Sequence, residues 1–128
     1  MKPIRIMLVD DQAIVREALA LRLGLESDLA IVGAAENGET AVALAGELKP
    51  DVVLMDLSMP QVNGLSAAWN LHEEFPGIPV VILTMHDSQP TRLMARCAGA
   101  AGFVGKHEPQ ERLIEAIRSA ATERSGVS

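Results

Sequence analysis

Five short apolar runs divide this chain, and each is followed by a segment with helical spacing. The runs cover residues 4–9, 30–34, 52–55, 80–83 and 102–105. They are rich in Val, Ile and Leu and do not alternate with polar residues, as expected of strands buried on both faces. Between them, residues 13–25 place Ile14, Ala18, Leu21 and Leu25 on one helical face, and residues 39–48 offer Val42, Ala45 and Leu48. A third helix follows Asn63-Gly64, with Leu65, Ala68, Trp69 and Leu71 for packing. A fourth starts at the cap Ser88, carries Pro90 in its first turn and ends by Gly99. The last begins near Pro109 and aligns Leu113, Ile114 and Ile117. Lys49-Pro50 and the Pro76, Gly77, Pro79 cluster punctuate the pattern. Strict strand–helix alternation predicts an α/β fold, a parallel five-stranded sheet with helices on both faces.

The chain's 128 residues suit one domain. Apolar residues make up 48% but aromatics only 2%, so the core must be built from Val, Leu, Ile, Ala and Met. So few aromatics argue against a stacking platform for single-stranded nucleic acid. A net charge of -6 disfavours contact with a phosphate backbone, while leaving local cation binding open. The single Cys97 excludes an internal disulfide and a multi-cysteine zinc site, and reads as a small buried hydrophobe. No apolar stretch approaches the roughly 18 residues of a membrane span, and no signal peptide is visible. The expected compartment is the cytoplasm.

The runs close on polar residues: the first on Asp10-Asp11, the third on Asp56, the fourth on Thr84 and the fifth on Lys106. In an open parallel sheet, ligands sit beyond the carboxyl ends of the strands, at a topological switch point. One rim would therefore gather three carboxylates, a hydroxyl and an ammonium. Three adjacent carboxylates resist joint ionisation, and a divalent cation relieves that. An all-oxygen set suits magnesium. Lys106 and Thr84 can then bind an anion, and Asp56 can act as a nucleophile toward a phosphoryl group. Each residue alone has a plainer reading: an aspartate at a strand end is most often a turn former or cap, and Asp10 or Asp11 could cap the first helix.

The segments "LVDDQ" (8–12), "DVVLMDLSMPQVNG" (51–64), "VILTMHD" (81–87) and "GAAGFVGK" (99–106) occur in order, each at a strand end. With them the chain resembles the receiver domain of two-component response regulators over nearly its whole length. The resemblance implies a CheY-like, doubly wound (βα)5 fold with strand order 2-1-3-4-5. It also implies that a histidine kinase passes a phosphoryl group to Asp56. Asp10 and Asp11 would hold Mg2+, Asp11 more directly, together with Asp56 and the backbone carbonyl of Ser58. Thr84 and Lys106 would bind the phosphoryl oxygens, and Thr84 with Phe103 would form the switch.

"LTMHD" is similar to the NarL/LuxR subfamily, whose members carry a C-terminal helix-turn-helix domain that binds DNA. On that resemblance residues 1–128 form the receiver, and 122–128 ("TERSGVS") start a linker to an output domain absent from these residues. Phosphorylation could also pair two copies as a homodimer. The chain departs from the pattern at several points. Met85 follows Thr84 where a small residue is common and could narrow access to Asp56. Phe103 stands in place of a tyrosine. Ser58 and His86 fill the positions that tune phosphoryl lifetime. His107 and Glu108 separate Lys106 from Pro109. Two other functions compete: a stand-alone receiver that acts by binding proteins, and a phosphatase with an aspartyl-phosphate intermediate. The phosphatase would need a second acid two residues after its nucleophile, where Ser58 stands. The expectation is a signalling switch that catalyses only its own phosphorylation and dephosphorylation.

Overall fold

The computed structural model describes residues 2–57, 61–85 and 88–126; the side chains of 61–64 and 123–126 lie outside that description. In chain order the elements are β1 (Ile4–Val9), α1 (Ala13–Leu23), β2 (Leu29–Ala35), α2 (Gly38–Leu48), β3 (Val52–Asp56), α3 (Gln61–Glu74), β4 (Val80–Thr84), α4 (Gln89–Cys97), β5 (Gly102–Gly105) and α5 (Gln110–Gly126). The strands form one parallel sheet in the order β2-β1-β3-β4-β5. This is the CheY-like α/β fold.

Alternate residues of each strand point to opposite faces, which creates two cores. On one face Met7, Val9, Val53, Met55 and Ile82 pack against small residues of α2, α3 and α4, chiefly Ala41, Ala45, Ala68 and Ala95. On the other, Ile6, Leu8, Leu54, Leu83 and Val104 meet Leu23 of α1 and Leu113 and Ile117 of α5. Burial on both sides explains why the strands read as unbroken apolar runs. Helix ends follow local chemistry. Asn37 caps α2 by accepting the Thr40 N–H at 2.9 Å, and Lys49 ends it in the left-handed region at φ 48°. Ser88 caps α4 by accepting the Thr91 N–H at 3.3 Å, with Pro90 in the first turn.

Several expectations are corrected. Ile14, Leu21 and Leu25 are exposed, so the face read as buried is turned outward. The first helix segment carries two apolar stripes. The one that faces the sheet carries Leu19 and Leu23, four residues apart. Helical periodicity registers both stripes and cannot choose between them. Helix α3 starts at Gln61 rather than after Gly64. A glycine inside a helix costs about 1 kcal/mol, which the packing of Ala67, Ala68 and Leu71 outweighs. Trp69 is largely exposed, beside the ring of His72. Cys97 is exposed on α4, not buried. Of the methionines, Met7 and Met55 are core while Met85 and Met94 are exposed. Helix α5 runs to Gly126 and so takes in residues 122–126, which leaves the reading of 122–128 as a linker start untouched.

Gly99 turns the end of α4 toward β5 at φ +86°, and a Cβ there would lie 2.4 Å from the His72 ring. Both backbone and space demand glycine. Gly99→Ala is expected to lower unfolding free energy by roughly 1–3 kcal/mol in urea titration. Adding His72→Ala should return part of that loss by clearing the ring. A Gly99→Ala variant as stable as the parent would contradict both points.

Candidate functional site

In the order β2-β1-β3, the crossover direction reverses between β1 and β3, and the carboxyl ends of these two strands flank the resulting crevice. Asp10 directly follows β1 and Asp56 is the last residue of β3. The register pairs Asp56 with Leu83 and Thr84 with Gly105, so β4 and β5 end at the same rim. Lys106 leaves β5 with its N–H donated to the Thr84 carbonyl at 2.7 Å. Distant residues thus meet because parallel strands in register end together.

Asp10, Asp56 and Thr84 are buried. The Lys106 Nζ stands 2.8 Å from Asp56 Oδ2 and keeps partial contact with solvent. Burial pushes the Asp56 carboxyl up to about 6; the Lys106 ammonium opposes this, and the neighbouring Asp10 carboxylate reinforces it. The ion pair therefore offsets only part of the desolvation of Asp56. At 2.8 Å the Lys106 ammonium is a close, charge-assisted partner of Asp56 Oδ2. The Asp10 Oδ1 accepts the Gln12 N–H at 2.7 Å in a turn that leads into α1, and the Asp10 carbonyl accepts from Arg16 Nη1 at 2.7 Å. Asp10 thus serves the turn as well as the site.

The expected residues do not all converge equally. Asp56, Lys106, Asp10 and Thr84 share the rim, whereas Asp11 beside them is exposed. Ser58 and His86 lie outside the described residues. Phe103 is half-buried on β5, with the Arg92 guanidinium 4.7 Å from its ring centroid. Met85 is exposed. Two residues carry roles at the site that the sequence did not assign to them: Arg16, which buttresses Asp10, and Glu108, which accepts the Gly105 N–H at 2.7 Å beside Lys106. The spacing of Glu108 and Arg112 at i,i+4 was a faint signal for the second, while nothing local marks Arg16.

A divalent cation fits part of this set. The buried Asp56 carboxylate and the like charge of Asp10 beside it form an acidic, hard-oxygen environment. Among the described residues, however, no three acidic, histidine or cysteine side chains stand close enough to make a ligand cluster. Protein side chains would thus supply few of the ligands, in keeping with the preference of magnesium for retained water. A groove of about 460 Å3 opens on Asp56 and Lys106 between α1 and the start of α5, walled by Ile14, Ala18, Pro109 and Leu113.

This sheet, with an acid–lysine pair at its switch point, defines a doubly wound α/β domain with a charged site at its carboxyl rim. The response regulator receiver domain profile matches residues 6–118, and the chain belongs to that family. It is 44% identical over 117 residues to the response regulator GacA of Pseudomonas aeruginosa, covering 90% of this chain and 54% of that protein. It is 40% identical over 118 residues to the uncharacterized transcriptional regulatory protein YxjL of Bacillus subtilis, covering 92% of this chain and 54% of that one. The chain spans about half the length of the curated relatives it matches. A LuxR-family two-component response regulator from Aurantimonas sp. SI85-9A1 superposes with TM-score 0.88 at 34% identity, covering 96% of this chain and 88% of that one. The protein is thus a receiver domain of the kind found in two-component transcriptional regulators.

The raised Asp56 carboxyl has a consequence for stability. Its folded value of about 6 lies above the ordinary 3.8, so the folded state holds the proton more tightly than the unfolded chain. Stability therefore falls as pH rises between these two values, and the full penalty is present above the higher one. Asp56→Asn should be more stable than the parent at neutral pH by about 1–3 kcal/mol. The gap should close as pH falls toward about 4, below which the parent carboxyl is neutral in both states. Urea titrations across that range, without added metal, measure it. A gap that widens on acidification would reverse the sign.

Proposed function

We propose that this domain is the phosphorylation-driven switch of a two-component system. In this reading a histidine kinase transfers its phosphoryl group to Asp56. The observation that carries it is the buried Asp56 carboxylate held 2.8 Å from the Lys106 ammonium at the carboxyl rim of the sheet. An Asp56 oxygen attacks phosphorus, an acyl phosphate forms, and the phosphorus–nitrogen bond of the phosphohistidine breaks. The imidazole nitrogen leaves with the electron pair and takes a proton from solvent. At neutral pH Asp56 is mostly ionised, as a nucleophile must be. Lys106 neutralises charge on the moving phosphoryl oxygens and the Thr84 hydroxyl donates to one of them. Asp10, Asp11, Asp56 and the Ser58 carbonyl are the candidates to hold Mg2+, which would supply further charge neutralisation at those oxygens.

The acyl phosphate adds about -1.5 to -2 charges at the rim. Thr84 is drawn toward it, and Phe103 repacks as the second half of the switch. Moving such a switch from 1:99 to 99:1 takes about 5.5 kcal/mol of differential interaction, more than one new hydrogen bond supplies. Lysine, threonine and repacking around Phe103 must share it. The output is control of transcription through a C-terminal helix-turn-helix domain following residue 128, with a homodimer favoured by phosphorylation. The regulatory names and greater length of the relatives support that output. No described helix is long and apolar enough to cross a membrane, and the cytoplasm is the compartment this reading assigns. With Ser58 rather than an acid two residues after Asp56, the domain acts as a switch and not as a turnover phosphatase.

Acetyl phosphate with magnesium is expected to label the protein to about one phosphoryl group per chain, and labelling should be lost in Asp56→Ala. Intact-mass measurement and inorganic-phosphate release, read together, decide the matter. Continuous phosphate release at enzyme rates would favour the phosphatase reading. Absence of labelling would leave a receiver that acts only by binding.

A further inference from the structure

We propose that Glu108 is a positioning residue: it closes the turn that carries Lys106 and ties that turn, through Arg92, to Phe103. The proposal rests on the phosphoacceptor reading of Asp56 and Lys106.

Lysine has a flexible four-carbon stem, so an ammonium can be aimed at a buried carboxylate only from a fixed backbone. Three bonds fix it here. The Lys106 N–H is donated to the Thr84 carbonyl at 2.7 Å. The Glu108 N–H is donated to the Gly105 carbonyl at 3.0 Å. The Glu108 Oε2 accepts the Gly105 N–H at 2.7 Å. The last two bonds run in opposite directions between the same two residues and close the turn around Lys106. The bond to the carboxylate is charge-assisted and short, the stronger kind.

The same carboxylate faces two helices. The Arg112 Nε donates to Glu108 Oε1 at 3.2 Å from α5, and Arg92 Nη2 lies 3.9 Å from Oε2 from α4. The Arg92 guanidinium is stacked 4.7 Å from the Phe103 ring centroid, within cation–π range. Exposed ion pairs of this kind contribute little to stability. Their consequence is connection: one carboxylate, itself mostly buried, touches the Lys106 turn and the arginine that covers the switch aromatic. A shift of Lys106 toward a new phosphoryl group would pull this turn, and the pull reaches α4 through Arg92. A glutamate that merely favours the start of α5 by its charge would have no such effect on Gly105 or Phe103.

The test compares Glu108→Ala and Glu108→Gln in the whole 128-residue chain. The glutamine retains an oxygen that can accept the Gly105 N–H. Without phosphodonor, amide exchange at Gly105 should speed up about tenfold or more in Glu108→Ala and stay near the parent rate in Glu108→Gln. With acetyl phosphate and magnesium, the maximal labelling rate should fall about three- to tenfold in Glu108→Ala, the half-saturating donor concentration should hold steady, and glutamine should restore most of the rate. The Phe103 ring resonances should shift in Glu108→Ala and in Arg92→Ala alike. Parent-like exchange at Gly105 in Glu108→Ala would overturn the proposal. So would equal rate losses in the alanine and glutamine variants, which would mark a general charge effect. If the parent takes no label at all, the phosphoacceptor reading fails, while the exchange and ring measurements still decide whether Glu108 closes the turn and reaches Phe103.

Discussion

A carboxylate buried beside an ammonium is the constraint around which this structure is arranged. Asp56 ends the central strand, almost out of contact with water, 2.8 Å from Lys106. Burial costs the carboxylate more than the lysine returns, and Asp10 adds repulsion, so the site is held in place against its own electrostatics. What holds it is the sheet. Val52, Val53, Leu54 and Met55 are buried on both faces, and a strand anchored this firmly can end on a charge without being pulled out of register.

The two ends of the sheet are built differently. At the amino end of the strands, ion pairs and hydrogen bonds to charged groups act as clasps. The Asp28 carboxylate receives Arg118 at both oxygens, each at 2.8 Å, with Glu26 beside it at 3.1 Å, and this joins α5 to the loop before β2. The Arg5 side chain donates to the Lys49 carbonyl, and its N–H is donated to Asp51. Each clasp is worth little alone, but together they fix helices to strands where no chemistry is needed. At the carboxyl end the buried acid meets the like charge of Asp10, which Lys106 only partly offsets, and a groove opens beside it. Excess negative charge there leaves a place for a cation.

The layer packing shows how a core almost without aromatics is made tight. The face under α2, α3 and α4 relies on alanine, which lets helices approach the sheet closely, while methionine and branched strand residues fill the gaps. The larger side chains Leu23, Leu113 and Ile117 fill the opposite face. Phe103 sits half-buried at the edge of the first core, under Arg92, so this aromatic lies where packing can change without disturbing the centre of the sheet.

The number, kind and order of the elements were legible in the residues, because burial on both faces leaves an unbroken apolar run and helical spacing leaves a stripe. The rim partners Asp56, Thr84 and Lys106 were legible too, since parallel strands that end together bring their last residues together. Local spacing could not tell which of two stripes on α1 faces the sheet, so Ile14, Leu21 and Leu25 were misread, as was Cys97. It also could not say that Asp11 stays exposed beside a buried Asp10, or that Glu108 would reach back to Gly105 and out to Arg92. The sequence alone determined the alternation of the elements and which residue ends each strand, because both follow from patterns within single segments. Only tertiary structure decided helix orientation, burial of each acid and the contacts of Glu108, because those depend on which surfaces are brought together across the sheet.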